Sequence, residues 1–108
     1  MHPKIYLQRS MNRTMLIISL FEIVDELNPQ LPEGRQLEKS LDTALIGRSS
    51  KLDSLGLLMM INATEACIHK RYGMDVELPF EATVQRNSPI QTIGTLVDYI
   101  LAKSGSSE

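Results

Sequence analysis

Few residues in this chain have the type and setting to do chemistry. One is Ser54, in the stretch "KLDSLGLLMMI" (residues 51–61), between an aspartate and an apolar run. A hydroxyl is poorly placed in a core. At the start of an apolar helix it suits a cap. A hydrolase nucleophile would sit in a G-x-S-x-G turn after a strand, with a histidine in reach. Position 52 is Leu, no strand pattern precedes it, and the two histidines are His2 and His69, so the hydrolase reading is disfavoured. Cys67 and His69 are two apart on a helical pattern and do not face each other. They read as a small half-buried residue and a surface histidine, not as a Cys–His nucleophile or a metal site.

Three helical segments must position Ser54. Over residues 12–27, Ile17, Leu20, Phe21, Val24 and Leu27 recur at three- and four-residue spacing, with Glu22, Asp25 and Glu26 opposite. That pattern predicts an amphipathic helix, ended by the prolines and glycine of "NPQLPEG". A long connection over residues 28–52 follows, and a connection of this length is either packed or functional. Leu41, Leu45 and Ile46 are expected to pin it to the core through a short helical turn. The second helix is predicted over residues 54–72, capped by Asp53 or Ser54 and ended by "HKRYG", basic residues followed by glycine. On its wheel Leu57, Met60, Ile61, Thr64, Ile68 and Tyr72 share the core side. Leu55, Met59, Asn62, Ala66 and Lys70 share the outer side, with Leu58 and Glu65 between. "PFEATVQ" is expected to make one or two helical turns with Pro79 near the first position. The last helix is predicted over residues 93–103, capped by Thr92, with Ile93, Leu96, Val97 and Ile100 inward. Residues 1–11 are expected to be a flexible extension, 12–103 one domain, and the tail 104–108 disordered.

The bulk numbers narrow the function classes. At 108 residues the chain fits one domain. With no Trp and few aromatics, Leu, Ile, Val and Met must fill the core. A net charge of −2 argues against a general nucleic-acid binder. One cysteine permits no internal disulfide, which points to a reducing, cytoplasmic setting. The apolar run "MLIISLF" is far shorter than the ~20 residues that span a bilayer. "MHPKIYLQRS" is similar to the n-region of a signal peptide, but no small-residue cleavage site follows, so no export is expected. Met11 is an alternative start.

Taken together, "LDTALIGRSSKLDSLGLLMMI" resembles the loop-plus-helix signature of acyl carrier proteins. Asp42, Leu45 and Gly47 precede Asp53, Ser54 and Leu55, as the family's acidic residue, hydrophobics and glycine precede its Asp-Ser-Leu. "IQTIGTLVDYI" resembles the family's closing helix. The resemblance covers about residues 13–103. It implies an all-α, four-helix bundle of acyl-carrier type with a long first loop and a short third helix. It implies that a phosphopantetheinyl transferase attaches 4′-phosphopantetheine from coenzyme A to Ser54, with Asp53 and Leu55 in the recognition motif and Asp53 helping the transferase and its magnesium engage. The arm's thiol would carry acyl intermediates as thioesters to an acyl-loading ligase or acyltransferase and to a ketosynthase or other acyl-processing enzymes. The protein itself would be a monomeric carrier, not an enzyme. Leu58, Met59, Asn62 and Glu65 are the expected partner surface, and Met60, Ile61 and Ile68 the expected lining of an acyl cavity. A peptidyl or aminoacyl carrier of nonribosomal-peptide type is an alternative. An unmodified helical interaction domain is an alternative of another class.

The second helix departs from the family's acidic pattern. Glu65 is its only acid, Lys70 and Arg71 lie at its end, and Arg48 and Lys51 precede it. Leu55, Leu58 and Met59 surround the serine. Partners are therefore expected to dock by shape and apolar contact more than by charge steering. That favours a specialised pathway, such as polyketide or lipid chemistry, and the broad-specificity class of transferase.

Overall fold

The computed structural model describes residues 11–78, 88 and 90–104. Their regular structure is helical: α1 (Arg13–Leu27), a 3-10 turn at Asn28–Gln30, α2 (Ser54–Tyr72) and α3 (Ile93–Ser104). Among the described residues there is no strand, only one isolated antiparallel bridge between Ala44 and Thr92. The predicted short helix of residues 79–85 lies outside the described residues, as do the first ten residues and all of the tail but Ser104.

α1 starts at Asn12, whose Oδ1 accepts the N–H of Met15 at 2.8 Å. Both α2 and α3 pack against it. Its inward face is turned by about one residue from the expected one. Leu16, Leu20, Ile23, Val24 and Leu27 are buried, whereas Ile17 and Phe21 are half-buried at the margin. The sequence "MLIISLFEIV" is apolar nearly all round, so spacing alone could not choose between adjacent stripes. Arg71 of α2 pairs with Glu22 of α1 at 2.6 Å and donates to the buried Ser19 hydroxyl at 2.9 Å. The pair on the surface contributes little, but the bond to Ser19 satisfies a buried polar group.

α2 matches its prediction at both ends. Gly73 closes it at φ 67, a left-handed conformation open to glycine at little cost, with its N–H on the His69 carbonyl. All six residues assigned inward are buried. Thr64 returns its hydroxyl to the Met60 carbonyl at 2.7 Å, which lets a polar residue sit in the core.

The long first loop is tied down at both halves. The Asn28 amide donates to the Leu37 carbonyl at 2.9 Å and accepts the Leu37 N–H at 2.7 Å, closing the turn after α1. Leu37 and Leu45 are buried, and Leu41 and Ile46 pack against the core as expected. No helical turn carries Leu41, Leu45 and Ile46. Backbone bonds to the approach to α3 hold them instead: Leu45 N–H to Gln91 O at 2.8 Å, Ile93 N–H to Thr43 O at 3.0 Å, and Gly94 N–H to Leu41 O at 2.9 Å. A Cβ on Gly94 would lie 3.0 Å from the Leu41 carbonyl, so this close approach needs glycine. With Thr95 N–H on Thr92 Oγ1 and Leu96 N–H on Thr92 O, the first four donors of α3 all have partners. The loop thus caps α3 while its other end leads into α2.

Candidate functional site

The site is the start of α2. Asp53 is the N-cap: its backbone is extended and its Oδ1 accepts the Gly56 N–H at 2.8 Å, while its carbonyl accepts Leu57 N–H at 2.9 Å. This resolves the choice between Asp53 and Ser54. The cap is Asp53, and Ser54 is the first helical residue, exposed, with no hydrogen-bond partner for its hydroxyl among the described residues. The backbone N–H groups of Ser54 and Leu55 also lack partners there. α1 leaves the same two positions open beside the exposed Thr14 hydroxyl, so what sets the start of α2 apart is the exposed Leu55 and Leu58 that follow its serine.

Leu52 folds back over this turn. Its N–H bonds Ser50 Oγ at 3.0 Å, and its side chain lies where a Cβ on the buried Gly56 would meet it at 3.0 Å. Ser54 therefore sits on a turn fixed from both sides, by the Asp53 cap and the Leu52 contact. Asp53→Ala is expected to cost about 1 kcal/mol, the ordinary worth of a cap. Urea unfolding with circular dichroism would measure it; an unchanged midpoint would show that the cap bond does not hold the helix.

The expected partner residues separate. Leu55 (65% exposed), Leu58 (38%) and Asn62 lie outward in one stripe running from Ser54. Among the described residues Ile18, on α1, is the remaining large apolar side chain this open. Met59, read from the wheel as outward, is half-buried against the core. Glu65 is half-buried, and its carboxylate accepts the Leu78 N–H at 2.8 Å, holding the segment that leaves α2. The one acid of α2 is thus engaged internally, and the exposed charges near the serine are Asp53, Arg48 and Lys51.

Met60, Ile61 and Ile68 are buried in the main core. They line neither of two surface grooves. The larger, about 870 Å³, is walled by residues 74–78 together with Glu65 of α2 and Tyr99 and Lys103 of α3. The smaller, about 180 Å³, lies in the first loop and reaches Lys51.

The other reactive side chains stand apart from Ser54. His69 is fifteen residues further along the same helix, about 22 Å away at 1.5 Å per residue. Its Nδ1 contacts Asp75 at 2.7 Å. Cys67 packs toward α1; burial pushes its thiol pKa up, against smaller opposing effects of Arg71 and a hydrogen bond with Ser19. The folded state therefore holds this proton more tightly than the unfolded chain does. Stability is highest below the unfolded thiol's pKa and falls as pH rises above it. Cys67 is expected to react with iodoacetamide at neutral pH more slowly than an exposed thiol such as that of free coenzyme A. A mass time course would measure this, and equal rates would mean the residue is open. Among the described residues no group of three or more His, Cys, Asp or Glu is arranged to hold a metal ion. No helix among them is long and apolar enough to cross a membrane.

No protein-family model matches the chain. No curated protein and no solved structure is detectably similar to it.

Proposed function

We propose that the chain is an acyl carrier protein, with Ser54 as the attachment site for 4′-phosphopantetheine. The observation that carries this reading is the division of labour at the start of α2. Asp53 does the capping, which leaves the Ser54 hydroxyl exposed and unpartnered on a fixed turn. A serine kept free of structural duty beside open backbone donors fits a phosphodiester. The N–H groups of Ser54 and Leu55 and the positive end of the helix dipole favour it, and Lys51 adds a nearby cation.

On this reading a transferase activates the Ser54 hydroxyl. Its oxygen bonds to the phosphorus nearer pantetheine in coenzyme A, the pyrophosphate P–O bond breaks, and adenosine 3′,5′-bisphosphate leaves. The hydroxyl proton passes to a base on the transferase. The attached group supplies a thiol that holds acyl chains as thioesters. The carrier's own residues orient the arm and present it. Leu55, Leu58 and Asn62 form the exposed stripe that an acyl-loading enzyme, a ketosynthase or another acyl-processing enzyme would contact. The proposed fold is a four-helix bundle, with the short third helix expected at "PFEATVQ" (residues 79–85), and the proposed state is a cytoplasmic monomer serving a specialised pathway.

Intact mass after incubation with coenzyme A and a transferase tests the reading. A gain of one phosphopantetheine with the broad-specificity class supports it. Modification by the housekeeping class alone would overturn the specialised role. No gain with either class would overturn the carrier reading and favour an unmodified interaction domain that uses Leu55 and Leu58.

A further inference from the structure

The smaller groove is built from the first loop. Leu37 and Ala44 supply apolar lining, and Gln36, Glu38, Thr43, Ser49 and Lys51 supply polar groups. Its walls are held before any ligand arrives. Asn28 clamps both backbone groups of Leu37. Gln36 Nε2 donates to the Asn28 carbonyl at 3.1 Å, and the Thr43 hydroxyl donates to the Glu38 carbonyl at 2.7 Å. Thr43 and Leu45, on either side of Ala44, are bonded to the strap that leads into α3. A preformed site avoids much of the ordering cost of binding.

The polar groups left over are mixed in kind. The Ser49 hydroxyl, the Glu38 carboxylate and the Lys51 ammonium have no partners among the described residues. The groove therefore offers acceptors for N–H groups, donors for carbonyl oxygens and an apolar wall. A free anion would meet Glu38, and a purely apolar chain would strand these polar groups. A slender chain that alternates amides with methylenes satisfies all three. At about 180 Å³ the groove is smaller than the several hundred Å³ of ordinary small-molecule sites, so it takes a short piece of such a chain.

Lys51, on the groove, is three residues before Ser54, so the two backbones are at most about 11 Å apart. A chain attached at Ser54 would be presented to the groove at an effective concentration of order millimolar. Contacts too weak to capture a free ligand would then hold a tethered one. We propose that this groove receives the amide-bearing middle of the phosphopantetheine arm, parking it against the first loop between enzymes. The proposal rests on Ser54 carrying that arm. Lys51 lies at the entrance, beside the phosphodiester. The Glu38 carboxylate and the Ser49 hydroxyl meet the amides, and Leu37 and Ala44 meet the methylenes.

The test compares the unmodified and phosphopantetheinylated protein by ¹⁵N NMR, after intact mass has shown complete modification. Backbone amide shifts are expected at Glu38, Thr43, Ala44 and Ser49 as well as beside Ser54, with nuclear Overhauser contacts between arm methylenes and the Leu37 and Ala44 side chains. Ala44→Leu, which fills the groove, is expected to remove the distant shifts and contacts while leaving the mass gain. Lys51→Gln, at an exposed position with no structural bond, is expected to reduce them. Complete modification with shifts confined to residues 52–58 would overturn the groove while leaving the carrier reading intact. No modification at all would overturn both.

Discussion

Ser54→Ala is expected to abolish the gain of one phosphopantetheine completely while leaving the fold unchanged. The two halves of this result have separate physical grounds. Ser54 makes no side-chain bond among the described residues, and Asp53 supplies the cap, so removing the hydroxyl strands nothing. Alanine is also the best helix former for an exposed helical position. Stability should stay within about 0.5 kcal/mol of the parent, the usual range for a surface change. Modification needs a nucleophilic oxygen, and alanine has none. Two other serines, Ser49 and Ser50, lie close by in the sequence. Ser50 Oγ is occupied by the Leu52 N–H, and neither residue opens a helix. A mass gain that survives Ser54→Ala would move the attachment to one of these and sink the assignment. Loss of both the mass gain and the helical signal would show that Ser54 is structural after all.

How much of this was legible in the sequence depended on where each residue's partners lie. α2 was legible end to end because its signals are local. Its cap, its basic last turn and its closing glycine all act within a few residues, and its apolar face repeats cleanly for five turns. The phase of α1 was not legible, because Ile17 and Leu16 are equally apolar and only the position of α2 and α3 decides which turns inward. The role of Glu65 was missed for a related reason. On a wheel it is a surface acid at the edge of the apolar face, and its partner, the Leu78 N–H, is thirteen residues away.

The first loop was the least legible part. In the sequence Asn28 signals only the start of a helix stop, yet its side chain fixes Leu37 nine residues on. Asparagine before proline at a helix end was a usable signal for such a clamp. The pairing of Ala44 with Thr92 spans nearly half the chain and has no signature in either segment. The groove is a product of these non-local bonds, so it too is invisible in the sequence, which shows Lys51 only as a basic residue preceding the serine.

Leu45→Ala carries the largest expected effect on stability, about 2–5 kcal/mol. Leu45 is 1% exposed, so truncation leaves a cavity among core side chains that the neighbouring backbone cannot easily fill. That backbone is fixed by the Leu45 N–H on Gln91 O and, two residues earlier, by the Thr43 carbonyl, which accepts the Ile93 N–H. The loss is a large share of the 5–15 kcal/mol that holds a typical domain together. The urea midpoint is expected to fall with little change in slope, since the same surface is exposed on unfolding. Leu41→Ala, at a half-buried position in the same loop, should cost distinctly less. Hydrogen exchange separates local from global loosening. In Leu45→Ala the amides of Leu45, Ile93 and Gly94 are expected to lose more protection than those of α1, because the loop and the start of α3 share their bonds. A midpoint within about 1 kcal/mol of the parent would mean that the loop is not part of the cooperative core. The turn presenting Ser54 would then be held by Asp53 and Leu52 alone, and the preformed groove beside it would lose its physical basis.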